Sequence, residues 1–324
     1  MMRLRRFLRF PRLLRRPRCL RLPRLLQWLR LPAALLALAP AQAVEAQELR
    51  VGITLHPYYS FAANIVGDRA RVIPLIESGS NPHNYTPQAA DMRRVLEMDV
   101  LIVNGIGHDQ WAFEIVAAAG RGDELPLIYA NDGVSLIPIA ADEGQAKVVN
   151  PHTFVSTTAS IQQIYTIARE LGEIDPPNAD YYRANARDYA ARIRRMKARY
   201  SAELADIDVA SFSCATMHGG YGYLMQEFGL QVAAVIEPRH GVEPTARQLA
   251  DTIERINAAR VSVLFAEKYF TSALSDTIRE ATGVRMYSFS HMSDGEYGPE
   301  LFEREMEANL QTLVEAVRSV AESR

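Results

Sequence analysis

Residues 176–205, PPNADYYRANARDYAARIRRMKARYSAELA, decide how the rest of the chain is organised. After Pro177 the stretch holds no Gly or Pro, and Tyr182, Tyr189, Ile193, Met196 and Tyr200 recur at gaps of 7, 4, 3 and 4. That spacing marks one face of a helix, with Arg-rich positions on the other. About 28 residues at 1.5 Å each make a rod of roughly 40 Å. Placed between two other patterns, such a rod reads as a stiff strut rather than a flexible linker. The stripe is too short and too rich in Tyr for a coiled-coil dimer arm, and a monomer is expected.

On both sides of the strut, short β-type runs alternate with longer helical patterns. Strands are expected at 48–55, 70–76, 99–106, 126–130 and 146–149, and again at 208–215, 231–237, 261–267 and 284–290. Several are continuous apolar runs, as parallel strands covered on both faces require. Helical patterns include 87–97, 109–119, 245–258, 271–282 and 300–320. The alternation occurs twice, so the expected fold is α/β: two Rossmann-like lobes, at 47–177 and 206–324, joined by one long interlobe helix at 178–205. At 324 residues, with 48% apolar and 23% charged side chains, the chain has the composition for two such cores.

The ends of the chain differ in kind. Residues 1–30 carry eleven Arg and no acidic residue, which leaves 25 basic against 38 acidic groups, about −13, for the remainder. A basic extension on an acidic body reads as a targeting segment, not a nucleic-acid arm. Residues 31–40 (LPAALLALAP) form an apolar run too short to span a ~30 Å bilayer, followed by Ala41-Gln42-Ala43 and Val44-Glu45-Ala46. A signal peptide over 1–46, cleaved after Ala43 or Ala46, and a periplasmic product are expected. Cys19 lacks the small-residue context of a lipidated signal, and processing leaves Cys214 alone.

All seven histidines, His56, His83, His108, His152, His218, His240 and His291, follow an expected strand within a few residues, His83 at the greatest remove. Ligand sites in α/β sheets form beyond the carboxyl ends of strands, so this position alone does not choose among them. Neutral imidazole is the commonest protein ligand for divalent transition metals. Local context separates the seven. His83 lies in Asn81-Pro82-His83-Asn84-Tyr85-Thr86-Pro87, His152 in Asn150-Pro151-His152-Thr153-Phe154, and His218 opens His218-Gly219-Gly220-Tyr221-Gly222-Tyr223-Leu224. Pro before His limits the directions the side chain can take.

These three motifs, in this order, resemble those of the zinc/manganese family of ABC-transporter substrate-binding proteins. Asn104-Gly105 with Trp111, the stretch from Pro177 to Asn185, Glu243-Pro244-Thr245 and Phe265-Ala266-Glu267 extend the resemblance through most of the processed chain. The resemblance implies His83, His152 and His218 as metal ligands, and a metal-ion receptor that docks on an ABC permease. The family's usual fourth ligand is a carboxylate after the last strand of the second lobe; here His291 stands in that place, with Asp294, Glu267 or a water as competitors. His56 is expected to line the cleft or orient a ligand, His240 to serve loop structure, and His108 to sit at a helix entry or on the surface.

Three or four imidazoles favour Zn²⁺ over Mn²⁺, which leans toward oxygen. One departure counts against zinc: residues 142–145 form a short stretch without His where many zinc receptors of the family carry a long His-rich loop. Manganese or another divalent ion is the alternative cargo. A zinc hydrolase with Glu267 as base is the alternative function, but no H-E-x-x-H, G-x-S-x-G or P-loop pattern accompanies it.

Overall fold

The computed structural model describes residues 48–139, 148–237, 244–267, 273–293 and 295–323. The expected signal segment, residues 142–145, His240 and Asp294 lie outside the described residues. The first parallel sheet contains β1 (Leu49–Ile53), β2 (Ala70–Pro74), β3 (Val100–Val103) and β4 (Leu127–Tyr129), in the order β2-β1-β3-β4. A two-residue antiparallel ribbon follows, β5 (Pro138–Ile139) on β6 (Val148–Val149). The second parallel sheet contains β7 (Ser213–Thr216), β8 (Gln231–Val235), β9 (Val263–Glu267) and β10 (Arg285–Phe289), in the order β10-β9-β7-β8. Counted from its own first strand, each sheet runs second, first, third, fourth. Both therefore have a switch point, β1/β3 in one and β7/β9 in the other, where loops leaving the strands diverge and open a crevice.

The helices are α1 (His56–Val66), α2 (Ala89–Leu96), α3 (Gln110–Ala118), α4 (Thr157–Ile174), α5 (Ala179–Glu203), α6 (Gly222–Glu227), α7 (Ala246–Ala258), α8 (Ala273–Thr282) and α9 (Leu301–Ala321). All four residues of β3, Val-Leu-Ile-Val, are buried, as a strand covered on both faces must be. The expected strands match the observed ones with trimmed ends in all but two places. Of the run 146–149, the described residues Val148–Val149 form β6, which pairs with β5 and joins neither parallel sheet. In the 208–215 run, Val209–Ser211 form a 3₁₀ turn and pairing begins at Ser213.

The strut is α5, 25 residues preceded by a 3₁₀ turn at Pro176–Asn178. Its expected stripe is its buried face: Tyr182, Tyr189 and Ile193 are fully buried, and Met196 and Tyr200 nearly so. Each such burial contributes roughly 1.5–3 kcal/mol, enough to fix a helix half of whose remaining positions are charged. That face packs on α1 and α4 of the first lobe and on α9 of the second. Arg192 spans both lobes, with its guanidinium 2.6 Å from Asn64 Oδ1 in α1 and 3.0 Å from the Glu303 carboxylate in α9. A further link joins the lobes at Glu227 in α6. This carboxylate accepts from the backbone N–H groups of Thr157 and Thr158 at the start of α4, and from Lys197 of the strut at 2.7 Å. Burial pushes the Glu227 carboxyl up, but Lys197 and the two threonines outweigh that and hold it below its usual range.

Residues 47–324 form one compact unit containing both sheets. One hydrophobic cluster runs from Val51 in β1 through α5 to Val320 in α9. A smaller one, including Ala215, Leu264, Ile256 and Ile278, fills the space between the second sheet and the α7–α8 pair. Cys214 is buried in β7 and its thiol is pushed up to about 12, so it is a packing residue rather than a reactive one. No helix among the described residues is long and apolar enough to cross a membrane.

Candidate metal centre

The first lobe delivers His83 and His152 by the same local device. In each case an Asn two residues earlier accepts the histidine's backbone N–H: Asn81 Oδ1 from His83 at 2.9 Å, and Asn150 Oδ1 from His152 at 3.1 Å. Short polar side chains favour such turns, and the intervening Pro fixes the backbone between them. Asn150 does more. Its Oδ1 lies 2.8 Å from Nδ1 of His152, which places the ring proton on Nδ1 and leaves the Nε2 lone pair for a ligand. Its Nδ2 donates to the Gly219 carbonyl of the second lobe at 2.8 Å.

The Asn104–Trp111 stretch steadies both turns. Trp111 Nε1 donates to the Pro82 carbonyl at 2.9 Å, and Asn104 Nδ2 donates to the Pro151 carbonyl at 3.0 Å. These two residues therefore hold the carbonyls directly before His83 and His152.

The second lobe positions its histidines through distant partners. His218 follows β7 and caps the 3₁₀ turn Gly219–Tyr221. A Cβ at Gly220 would come within 2.5 Å of His218 Cε1 and Nε2, so the ring occupies space only glycine leaves open. Glu267, the last residue of β9, brings a carboxylate oxygen to 3.4 Å from His218 Nδ1. His291 follows β10, and the backbone before it is clamped by Asn309 of α9. Ser290 N–H donates to Asn309 Oδ1 at 2.7 Å, and Asn309 Nδ2 donates to the Ser290 carbonyl at 2.8 Å. Met292, next in the chain, takes a left-handed φ of 65°, an unfavourable conformation for a residue with a side chain.

His83, His152, His218 and His291 meet. One nitrogen from each lies within 4.8 Å of those of the other three. Every ring pair in the quartet has centroids 4.9 to 5.9 Å apart. The Nε2 atoms of His83 and His152 are 3.3 Å apart, close to the ~3.4 Å between two nitrogens each about 2.1 Å from one tetrahedral ion. His152, His218 and His291 are buried and His83 is half-buried.

Burial holds the His152 ring well below the usual imidazole range, and the neighbouring rings of His108, His291, His218 and His83 push it the same way. Four converging ring nitrogens, with His152 held neutral by burial, can hold a divalent transition-metal ion.

Two of the remaining histidines, His108 and His56, lie within the described residues. His108 is not on the surface. It is 4% exposed, and its ring centroid is 4.3 Å from that of His83 and 4.7 Å from that of His152. Its position after β3, at the switch point with β1, was the available signal; its neighbour Asp109, which suggested a helix entry, caps α3, while the His108 ring turns inward. His56, expected to line the cleft or orient a ligand, stacks on Tyr297 at 4.2 Å, where burial holds it down to about 4. Glu267 contacts a ring of the quartet and is not one of its four members.

Comparison with known proteins places the chain among metal-ion receptors of ABC importers. A solved structure of the substrate-binding protein FpvC from Pseudomonas aeruginosa, in complex with Mn²⁺, is 48% identical, covers 85% of this chain and 100% of that one, and superposes with a TM-score of 0.81. The high-affinity zinc uptake system protein ZnuA of Bacillus subtilis (strain 168) is 24% identical over 247 residues, 74% of this chain and 76% of the relative. The manganese ABC transporter substrate-binding lipoprotein PsaA of Streptococcus pneumoniae is 24% identical over 278 residues, 83% of this chain and 89% of the relative. The family model for the periplasmic component A of the zinc-uptake complex, ZnuA, matches residues 51–316, and the chain belongs to that family.

Proposed function

We propose that this chain is a periplasmic receptor that captures Zn²⁺ on His83, His152, His218 and His291 and delivers it to the permease of an ABC importer. The observation that carries this reading is the convergence of four imidazoles, two from each lobe, with nitrogens within 4.8 Å of one another. Four nitrogen donors satisfy tetrahedral zinc, and an all-nitrogen set suits it better than Mn²⁺. Membership of a zinc-uptake family supports the same cargo. In this proposal the signal segment 1–46 is cleaved after Ala43 or Ala46. Lobes 47–177 and 206–324 then act as a monomer about the strut 178–205, and the closed, loaded form is what the permease recognises.

A second cargo has specific support, because FpvC is described in complex with Mn²⁺ and is 48% identical. The same four residues would then hold Mn²⁺ or another divalent ion. The hydrolase alternative gains nothing from Glu267. Its carboxylate faces the Nδ1 of His218, where it orients that ring rather than standing ready to activate a water.

The test is calorimetric titration of zinc into the chelator-stripped protein beside His83→Ala, His152→Ala, His218→Ala and His291→Ala. Tight binding without hydrolytic turnover, lost in all four variants, is the expected result. Affinity unchanged in the first three variants would remove the proposed site.

A further inference from the structure

Helix α6, which follows His218, reaches across to the first lobe on both sides of the His152 turn. The β5–β6 ribbon pairs Pro138 with Val149 and Ile139 with Val148, so Ile137 and Asn150 are the next pair. Asn150 N–H donates to the Ile137 carbonyl at 2.8 Å, which marks this pair as one that exchanges two backbone bonds. In place of the reciprocal bond stands the Tyr223 hydroxyl of α6. It accepts from Ile137 N–H at 2.9 Å and donates to the Asn150 carbonyl at 2.8 Å. A tyrosine of one lobe is thus spliced into a strand pair of the other, at the residue that orients His152.

Glu227 lies one helical turn beyond Tyr223 and grips the chain after His152. Its carboxylate accepts from the N–H groups of Thr157 at 3.0 Å and Thr158 at 3.1 Å. The hydroxyls of Ser156 at 2.9 Å, Thr158 at 2.6 Å and Thr157 donate to it as well. Free N–H groups at the start of α4 are therefore satisfied by a buried negative charge from the other lobe, as the helix dipole favours. Lys197 of the strut, 2.7 Å away, pairs with that charge. At its other end α6 is continuous with the 3₁₀ turn that His218 caps.

We propose that α6 is a clamp joining the His152 turn to His218, with Tyr223 and Glu227 as positioning residues that set how long the ion is held. The clamp presupposes the four-histidine receptor and adds to it the device that governs release. The His152 turn forms locally, but its distance from His218 is fixed through α6. Parting the two means breaking the Tyr223 bonds to the ribbon, the Glu227 bonds to α4, or both. An ion leaves from the parted form, so a weaker clamp populates that form and speeds dissociation. Association starts from the parted form and is not slowed, so the change in affinity falls on the off-rate. The four donors stay the same, so every divalent ion the site holds is released faster by one shared factor.

The experiment loads Zn²⁺ or Co²⁺ into the chelator-stripped parent, Tyr223→Phe and Glu227→Gln, and times release by stopped-flow chelator competition. Co²⁺ binding to His152→Ala is measured beside them. Release is timed well below each variant's metal-free unfolding midpoint, so global unfolding does not contribute. Tyr223→Phe keeps the buried ring, which preserves the test if Glu227→Gln does not fold. Release should be roughly 3- to 10-fold faster in Tyr223→Phe, which loses neutral hydrogen bonds, and on the order of 10-fold or more faster in Glu227→Gln, which loses charged ones. Each factor should be the same for both ions, with the visible Co²⁺ spectrum unchanged because the ligands are. Release at the parent rate, or an altered Co²⁺ spectrum, would overturn the clamp and leave the four-histidine receptor standing. Unchanged Co²⁺ binding in His152→Ala would instead overturn the receptor site, and the clamp with it.

Discussion

In the first lobe, His83 and His152 are each positioned by an Asn two residues earlier in the chain. In the second, His218 depends on Gly220 and on Glu267 of another strand, and His291 on Asn309 of α9. One half of the site is thus assembled by local turns, and the other by the packing of separate elements. Histidines held by local turns are in place whenever the turn forms. Histidines held by distant partners are in place only when the second lobe is fully folded. Asn150 joins the two halves, because it fixes the His152 tautomer and also bonds to Gly219, next to His218.

The comparison breaks most directly at the ligands. His152→Ala and His218→Ala should each lower zinc affinity by more than about 100-fold, beyond what loss of a supporting residue costs. Equal losses would show that both lobes hold one ion, whereas a loss confined to one variant would make the site a property of a single lobe. Next in size is Asn150→Ala, expected to cost roughly 10–100-fold in calorimetry, because it frees the His152 ring and cuts the link to Gly219. Glu267→Gln should fall at the lower end of that range, since its 3.4 Å contact with His218 is longer.

Gly220→Ala sharpens the comparison at the remotely held end. Its Cβ would force the His218 ring aside, and an affinity loss of about 10-fold is expected. Gly219→Ala meets nothing within 4 Å and serves as the control, so equal losses in the two would mean that ring displacement is not the cause.

The smallest effect is that of pH. Four ordinary imidazoles titrating near 6.5 would cost roughly 10-fold in zinc affinity between pH 7.5 and 6.5. His152 sits well below that range, chiefly through burial, so it stays neutral there and competes for protons only at lower pH. Zinc titrations at the two pH values should therefore differ by less than 10-fold; a larger drop would mean that the rings titrate as if exposed.

These two ways of holding a ligand also explain what could be read from the sequence. The Asn-Pro-His turns are local, so His83 and His152 stood out from their own neighbours. The strut was legible for the same reason, because the spacing from Tyr182 to Tyr200 needs nothing beyond the helix itself. His291 was assignable only by its place after the last strand, since Asn309, which clamps its backbone, is 19 residues away in another helix. His108 reads from its neighbours as a helix-entry or surface residue; it does precede the cap of α3, but nothing beside it in sequence reveals its burial against Phe154 and His83. The expected strand at 146–149 contains β6, but its antiparallel partner β5 was not foreseen, as two-residue strands carry no periodicity.

The central claim is that histidines from both lobes surround one ion, and X-ray absorption at the zinc edge of the loaded protein tests it most directly. The account predicts a first shell of at least four nitrogens at about 2.0–2.1 Å, with outer-shell scattering from at least four imidazole rings. A shell dominated by oxygen, or scattering from two rings or fewer, would contradict it.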